Sequence, residues 1–365
     1  MTLITLENLK RTINAVVNKL NLKANASDLQ QHIDEDNMHL TTQEKVKLDS
    51  IEAVADEQFS EAMNDIFRTT IEDGEFKGDE SITTVPYLFI EYIGREALRG
   101  CSNLTNMDLS NASTIGNSAF AECSNLTDID LSNVGTVNDF TFKNCGKLEN
   151  VNNINATSIG QGAFFQCTSL KEFIANNATI IGNTSFKGCS NLEYVELKLA
   201  ETIGEQCFYQ CSKLKNVNLH NSLTIGEKAF YQCSELESID IGNTSTIGNY
   251  AFYQCSKLKH INTEKVVSIG AYALRDCSSL QTLNLSNVTS IGSNAFYNCS
   301  NLETLILGGT EVLSISTTMF NGSKLANGTI WVPAELKDAY ISSSRWSKYS
   351  SCIKGIGIDG FPVEE

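Results

Sequence analysis

Hydrophobic positions between residues 93 and 310 recur on a fixed beat. The fragment Leu-x-x-φ-x-φ, with φ apolar, returns every 22 residues, as in Leu104, Met107 and Leu109 or Leu302, Leu305 and Leu307. Its end alternates apolar and polar with period two, which predicts a short half-buried strand. The residues around it repeat in phase. A typical copy runs from Ile225 to Ile241, Ile-Gly-Glu-Lys-Ala-Phe-Tyr-Gln-Cys-Ser-Glu-Leu-Glu-Ser-Ile-Asp-Ile. Generalised, the unit reads I-G-x-x-A-F-x-x-C-S-x-L-x-x-φ-x-φ. Ten units follow one another without insertion or deletion, and a constant period of this size signals a solenoid. One strand per coil, stacked in parallel, predicts a ladder rising about 4.8 Å per coil and a rod of roughly 45–50 Å.

Each repeated residue has an expected task. The Gly of I-G, from Gly94, Gly116 and Gly160 to Gly292, suits a tight corner and a positive φ. The Phe of A-F (Phe120, Phe164, Phe230, Phe252, Phe296) is expected to stack as a column inside the coil. Cys101 to Cys299, spaced by 22, are expected as buried thiols acting as small hydrophobes. A straight column does not converge as a zinc site must. Cys207 stands four residues before Cys211, where other copies carry Ala or Ser, and is read as a local substitution rather than half of a reactive pair. The strand is followed by Ser-Asn rather than Pro, as in Ser110-Asn111 and Ser286-Asn287, which predicts a turn that is either tighter or stabilised by asparagine.

The ends of a solenoid must be covered. Ile82 to Ile90 reads as an apolar N-terminal cap. At the other end, Thr329 to Pro333 is strand-like, Ala334 to Tyr340 opens a helix, and Trp331, Trp346 and Tyr349 are expected to pack in the cap. Residues 1–71 do not repeat. Leu6, Leu9, Ile13, Val16 and Leu20 follow a 3, 4, 3, 4 spacing, the seam of a two-heptad coiled coil. Two heptads are too short to stand alone. They are either the oligomerisation surface of an assembly or one face of a helix folding on its own chain. Thr41-Thr-Gln-Glu44 is a capping box opening a second helix to about Phe67. The fold class expected is therefore α+β: a helical oligomerisation segment (1–71), a linker and cap (72–92), ten coils (93–310) and a C-terminal cap (311–365).

The I-G-x-x-A-F-x-x-C-S-x-L core closely resembles the leucine-rich repeats of BspA-like surface proteins. The unit departs from that pattern in being 22 rather than 23 residues and in lacking the Pro after the strand; no Pro lies between Pro86 and Pro333. The N-terminal K-A-N-x-x-D-L…H-I-D-x-D-N-x-H-L-T-x-x-E-K-x-K-L-x-x-I stretch, Lys23 to Ile51, is similar to linker modules of bacteriophage fibre and appendage proteins. That resemblance implies attachment to a virion and a homotrimer, with the solenoid displayed toward a host cell-surface protein or glycan. The expected location is the virion surface, on head or tail, after synthesis in the bacterial cytoplasm. A bacterial BspA-like surface adhesin is the alternative.

Composition narrows the partners. The net charge is −16, with 43 acidic against 27 basic residues, which argues against nucleic acid. No apolar run reaches membrane-spanning length. The first residues lack the features of a secretory signal, so nothing in them is expected to direct export. No cofactor, metal or catalytic constellation is expected. The four histidines are His32, His39, His220 and His260, and His32 and His39 are read as turn residues rather than metal ligands. One outward column, two residues before the cysteine, holds Phe165, Tyr209, Tyr231, Tyr253 and Tyr297, with Arg99, Lys143, Lys187 and Arg275 in other copies. These five aromatic residues are the candidate ligand-binding set, offering rings to a sugar or a protein; the alternative is rings packed along the solenoid wall. A second column alternates in sign, Glu149, Lys171, Glu193, Lys215, Glu237 and Lys259, and is expected to hold neighbouring coils in register.

Overall fold

The computed structural model describes residues 68–85, 90–152 and 154–357. From Thr70 on these residues, Ile90 apart, fall in a single unit. The expected seam of Leu6, Leu9, Ile13, Val16 and Leu20, the capping box, and His32 and His39 lie outside the described residues.

Most coils contribute two short strands, and these pair in parallel with their equivalents in adjacent coils, along a first ladder that breaks between Ile115 and Thr136 and a second that breaks between Asn152 and Glu172 and between Ile261 and Thr282. In the first ladder Thr224–Ile225 pairs with Thr202–Ile203 on one side and Thr246–Ile247 on the other. In the second, Ser238–Asp240 pairs with Asn216–Asn218 and His260–Ile261. The predicted strand is the second ladder. The first, at the Thr-Ile before the glycine, was not anticipated because two residues are too few to show alternation.

The backbone between the ladders is neither strand nor helix. Lys228, Phe230 and Gln232 donate their N–H groups to the carbonyls of Asn249, Ala251 and Tyr253 in the next coil at 2.9, 2.7 and 2.8 Å. The alternate residues Ala229, Tyr231 and Cys233 instead close local turns onto Gly226, Lys228 and Phe230. Sending every second N–H along the axis requires left-handed residues, and Lys228 and Gln232 have φ of 56° and 61°. Inter-coil hydrogen bonding thus continues where strand geometry stops, so few backbone groups are left unsatisfied.

This arrangement corrects the expected role of the I-G glycines. They do not have positive φ. A Cβ on Gly226 would lie 2.7 Å from the carbonyl carbon of Gly204 and 2.8 Å from the nitrogen of Glu205. Glycine is required because the preceding coil's backbone passes too close for a side chain.

The core follows from the same repeat. Phe120, Phe142, Phe164, Phe186, Phe208, Phe230 and Phe252 form a stacked column with successive centroids 5.1–5.4 Å apart, and Leu98 and Leu274 take the same place in two coils. The cysteines stand beside it, free and buried. Each repeat thiol donates to the carbonyl of the aromatic-column residue one coil back, as Cys211 does to Phe186 at 3.1 Å. Cys207 is a further buried thiol in the neighbouring Ala/Ser column. The turn after the second ladder is held by asparagine and aspartate, as expected. Asp108, Asp130, Asn218, Asp240, Asn262 and Asn284 each accept the N–H two residues on. Asn155, Asn221 and Asn287 tie each turn to the one before.

The solenoid has about 13 turns rather than the ten of the strict repeat. Thr70–Ile71 pairs with Tyr92–Ile93, so a coil precedes the first cysteine. It is hard to see in sequence because Asp79 stands in the cysteine's place and Phe76 is the only aromatic match. At the far end Ile315 and Phe320 open an irregular coil, and Phe320 stacks on Phe296 at 5.5 Å. Thr329–Pro333 and Ile353–Ile356 then extend the second ladder. Trp346 and Tyr349 are buried over Phe320, and Trp346 Nε1 donates to Leu313 O at 2.9 Å. Trp331 is not part of that packing: it lies half-exposed on the outer side of its strand, with Lys354 Nζ 5.7 Å from its ring.

The fold of the described residues is a β-solenoid with helix confined to Lys337–Ser342 and short 3-10 turns. The expected α+β class is thereby corrected to mostly β for these residues: the helices it counted on fall in residues 1–71, nearly all outside the described residues, while the parallel-ladder solenoid expected of the repeats is found.

Candidate functional site

The segment from Gly226 to Ser234 sets which side chains reach the surface. Ala229, Phe230 and Cys233 turn inward, while Tyr231, Gln232 and Ser234 face outward. Repetition converts these three positions into parallel columns along one wall.

The first column contains the aromatic residues singled out in the sequence. Phe165, Tyr209, Tyr231, Tyr253 and Tyr297 are all half-buried. Tyr209, Tyr231 and Tyr253 stack face to face, with centroids 4.8 and 4.7 Å apart and planes within 4° and 7°. Lys187 Nζ lies 4.6 Å from the Tyr209 ring centroid, so it covers the open end of the stack. The Arg275 guanidinium lies 5.7 Å from Tyr253 and 4.9 Å from Tyr297, and Lys143 lies 5.8 Å from Phe165. The stack also pushes the Tyr231 phenol up in pKa, through burial first and its tyrosine neighbours second. Ring faces are therefore taken by other rings and by cations. What this column offers to a ligand is ring edges and phenol hydroxyls, and among the described residues those of Tyr209, Tyr231, Tyr253 and Tyr297 donate no hydrogen bond to the protein.

Beside the rings runs a shallow trough of about 700 Å³, lined by Gln210, Gln232, Gln254, Asp276 and Asn298 together with Ser212, Ser234, Ser256 and Ser278. Its amides form a ladder. Gln210 Nε2 donates to Gln232 Oε1 at 2.9 Å, Gln232 Nε2 to Gln254 Oε1 at 2.8 Å, and Asn298 Nδ2 to Asp276 Oδ1 at 2.7 Å. The serine hydroxyls donate to the carbonyl of the serine one coil back, from Ser234 at 3.3 Å to Ser278 at 3.1 Å. Each amide has a second N–H and each hydroxyl a lone pair beyond these bonds. The trough was missed in sequence because the position before the cysteine was treated as variable. The signal was there: that position reads Gln, Gln, Gln, Asp, Asn in five successive copies.

Other faces are engaged in holding the coils. Lys171, Lys215 and Lys259 reach Glu149, Glu193 and Glu237 at 2.9, 2.6 and 3.0 Å, as the alternating charges led us to expect. A second hollow, of about 590 Å³, includes Asn152, Asn155, Asn176 and Asn177. Asn155 and Asn177 there bond to each other at 2.9 Å. Among the described residues no group of three or more His, Cys, Asp or Glu side chains is placed to hold a metal ion, and no helix is long and apolar enough to cross a membrane.

The family model for the BspA-type leucine-rich repeat region matches residues 66–171, 137–246 and 224–339, which together span most of the chain. Among solved structures, the chain is similar to a leucine-rich repeat protein from Bacteroides ovatus, at 25% identity over 66% of this chain and 82% of that one, with a TM-score of 0.48. It is also similar to a leucine-rich cell surface protein from Faecalibacterium prausnitzii, at 22% identity over 67% and 84%, TM-score 0.36. A third is the pneumococcal vaccine antigen PcpA, at 16% identity over 81% and 78%, TM-score 0.37. No curated protein matches the chain.

Proposed function

Since the chain belongs to the BspA-type leucine-rich repeat family, we propose that it works by display and recognition: the solenoid presents its ring-and-amide wall to a partner on a bacterial surface. The observation that carries this reading is the row of phenols free of hydrogen bonds beside amides and hydroxyls that keep spare donors and acceptors, repeated coil after coil. A repeated surface of that kind suits binding many weak points at once. It does not gather acid, base and nucleophile at one point as catalysis requires.

The finer reading is a bacteriophage fibre, on head or tail. Its support is the Lys23–Ile51 stretch and the seam of Leu6, Leu9, Ile13, Val16 and Leu20, which together suit an N-terminal segment that joins three copies and docks on other virion proteins. Family membership by itself favours a bacterial surface adhesin. Antibody-labelled electron microscopy separates the two. Label on released phage particles supports the fibre; label on bacterial envelopes, with bare particles, supports the adhesin and overturns the fibre. Light scattering adds an independent check, because a monomeric full-length protein contradicts the trimer.

A further inference from the structure

We propose that the trough from Gln210 to Asn298 binds a linear, neutral, β-linked glycan lying along the solenoid axis, one sugar ring per coil. This deepens the recognition reading above and rests on it.

The length of the site is set by its ends. The column of Gln210, Gln232, Gln254, Asp276 and Asn298 is bounded by Gly188 on one side and Gly322 on the other. Those glycines have φ of 78° and 82°, the same left-handed backbone found at the five residues between them. The backbone therefore accepts, and sterically prefers, glycine at this position. A polar side chain nevertheless stands at this position in eight of the ten repeat copies, Glu122, Asn144 and Gln166 included, and the five between Gly188 and Gly322 line one trough with the serine column.

The chemistry of the walls selects the ligand. Amides, hydroxyls and phenols supply both donors and acceptors, the set that matches sugar hydroxyls. The charges nearby cancel, since Arg275 Nε lies 3.4 Å from Asp276 Oδ2, so a neutral chain fits better than an acidic one. An extended peptide adding to the wall as a strand would need an open strand edge. Here the N–H groups of Gln210, Gln232 and Gln254 are already bonded to Tyr231, Tyr253 and Arg275 of the next coil. The repeat completes the argument. The columns advance 4.7–4.8 Å per coil, judged from the tyrosine stack, a step comparable to one pyranose in an extended chain. A periodic ligand of similar step keeps pace with the coils, and in a β-linked chain whose rings alternate in facing, equivalent contacts recur every second coil. Because the tyrosine faces are covered, the sugars are held by hydrogen bonds in the trough rather than by stacking.

The test is titration calorimetry of the full-length protein with cello-, manno- and chito-oligosaccharides of two to seven rings. Affinity is expected to rise roughly tenfold or more from two rings to five in at least one series, then level off. The double variant Gln232→Gly, Gln254→Gly keeps a backbone that Gly188 and Gly322 already show to be allowed, and it is expected to lose roughly tenfold or more in affinity. Flat length dependence, unchanged affinity in the folded double variant, or no binding in any series overturns the glycan assignment. If the protein then still adheres to bacterial cells, the partner is of another class, such as a protein, and the recognition reading stands. If adhesion is absent as well, both fall.

Discussion

Asn138 donates from its side-chain Nδ2 to the carbonyl of Ile115 at 2.7 Å. In neighbouring coils that bond belongs to a glycine's backbone: Gly116 N–H reaches Ile93 at 2.7 Å and Gly160 N–H reaches Val137 at 2.7 Å. Asn138 is the one break in the I-G column between Gly94 and Gly292, and the first ladder is interrupted at the same coil, between Ile115 and Thr136. A side chain has replaced a backbone donor, and the strands on either side no longer pair. Replacing Asn138 with Ala leaves the Ile115 carbonyl without its donor and should lower stability by about 1–2 kcal/mol. Asn138→Gly lets the backbone make the usual bond and should fall well short of that loss. Urea denaturation of both variants checks the order.

The glycines themselves are the least replaceable residues of the coil. Gly226→Ala places a methyl 2.7–2.8 Å from backbone atoms of Gly204 and Glu205, and backbone cannot rotate away. The expected loss is about 3 kcal/mol, read as a shift in urea midpoint. Gly78→Ala meets no atom within 4 Å, though its φ of 76° is strained for Ala, and should cost about 1–2 kcal/mol.

The phenylalanine column answers to shape rather than to aromatic chemistry. Phe208 lies 5.2 Å from Phe186 and 5.1 Å from Phe230. Truncation to Ala opens a cavity in the middle of the stack and should cost about 3–5 kcal/mol. Phe208→Leu should cost roughly half of that or less, since Leu98 and Leu274 already fill equivalent places fully buried. Thermal unfolding of the two variants distinguishes them.

Much of this architecture was legible from the 22-residue period. The Phe column, the thiol column, the paired charges and the Asn-held turns all stand where the repeat placed them. What stayed hidden has physical reasons. Two-residue strands such as Thr224–Ile225 show no periodicity. The first coil, opened by Ile71, lacks the cysteine by which the others are aligned. The glycine requirement comes from a neighbouring coil, a distance that no single unit encodes. Gln210, Gln232 and Gln254 looked like filler because within one unit they are. Only stacking turns them into a wall, and only in the folded solenoid are the tyrosine faces beside them covered.

The buried thiols give stability a pH dependence. Burial pushes Cys101 up to about 11 and Cys189 and Cys299 up to about 12, from an ordinary value of 9.0. In the unfolded chain these thiols ionise near their ordinary value; in the folded chain they stay protonated. Above pH 9 the folded state thus binds more protons, and stability falls as pH rises. Each thiol contributes a loss of about 1.4 kcal/mol per pH unit across its window. Stability should be independent of these thiols below about pH 8 and fall steeply from about pH 9 toward 12. Native protein should react slowly with thiol reagents, and all of the repeat cysteines should label only after unfolding. Rapid labelling in the native state would contradict the buried column.

The central claim is that one wall of the solenoid, and not its other faces, does the recognising. Adhesion of full-length protein to host bacterial cells measures it most directly. The wall variant Gln232→Gly, Gln254→Gly is compared with Lys215→Ala, Lys259→Ala, which alters the charged column instead. Binding should be lost in the first and kept in the second. Equal binding by both, or loss only in the lysine variant, would contradict the account.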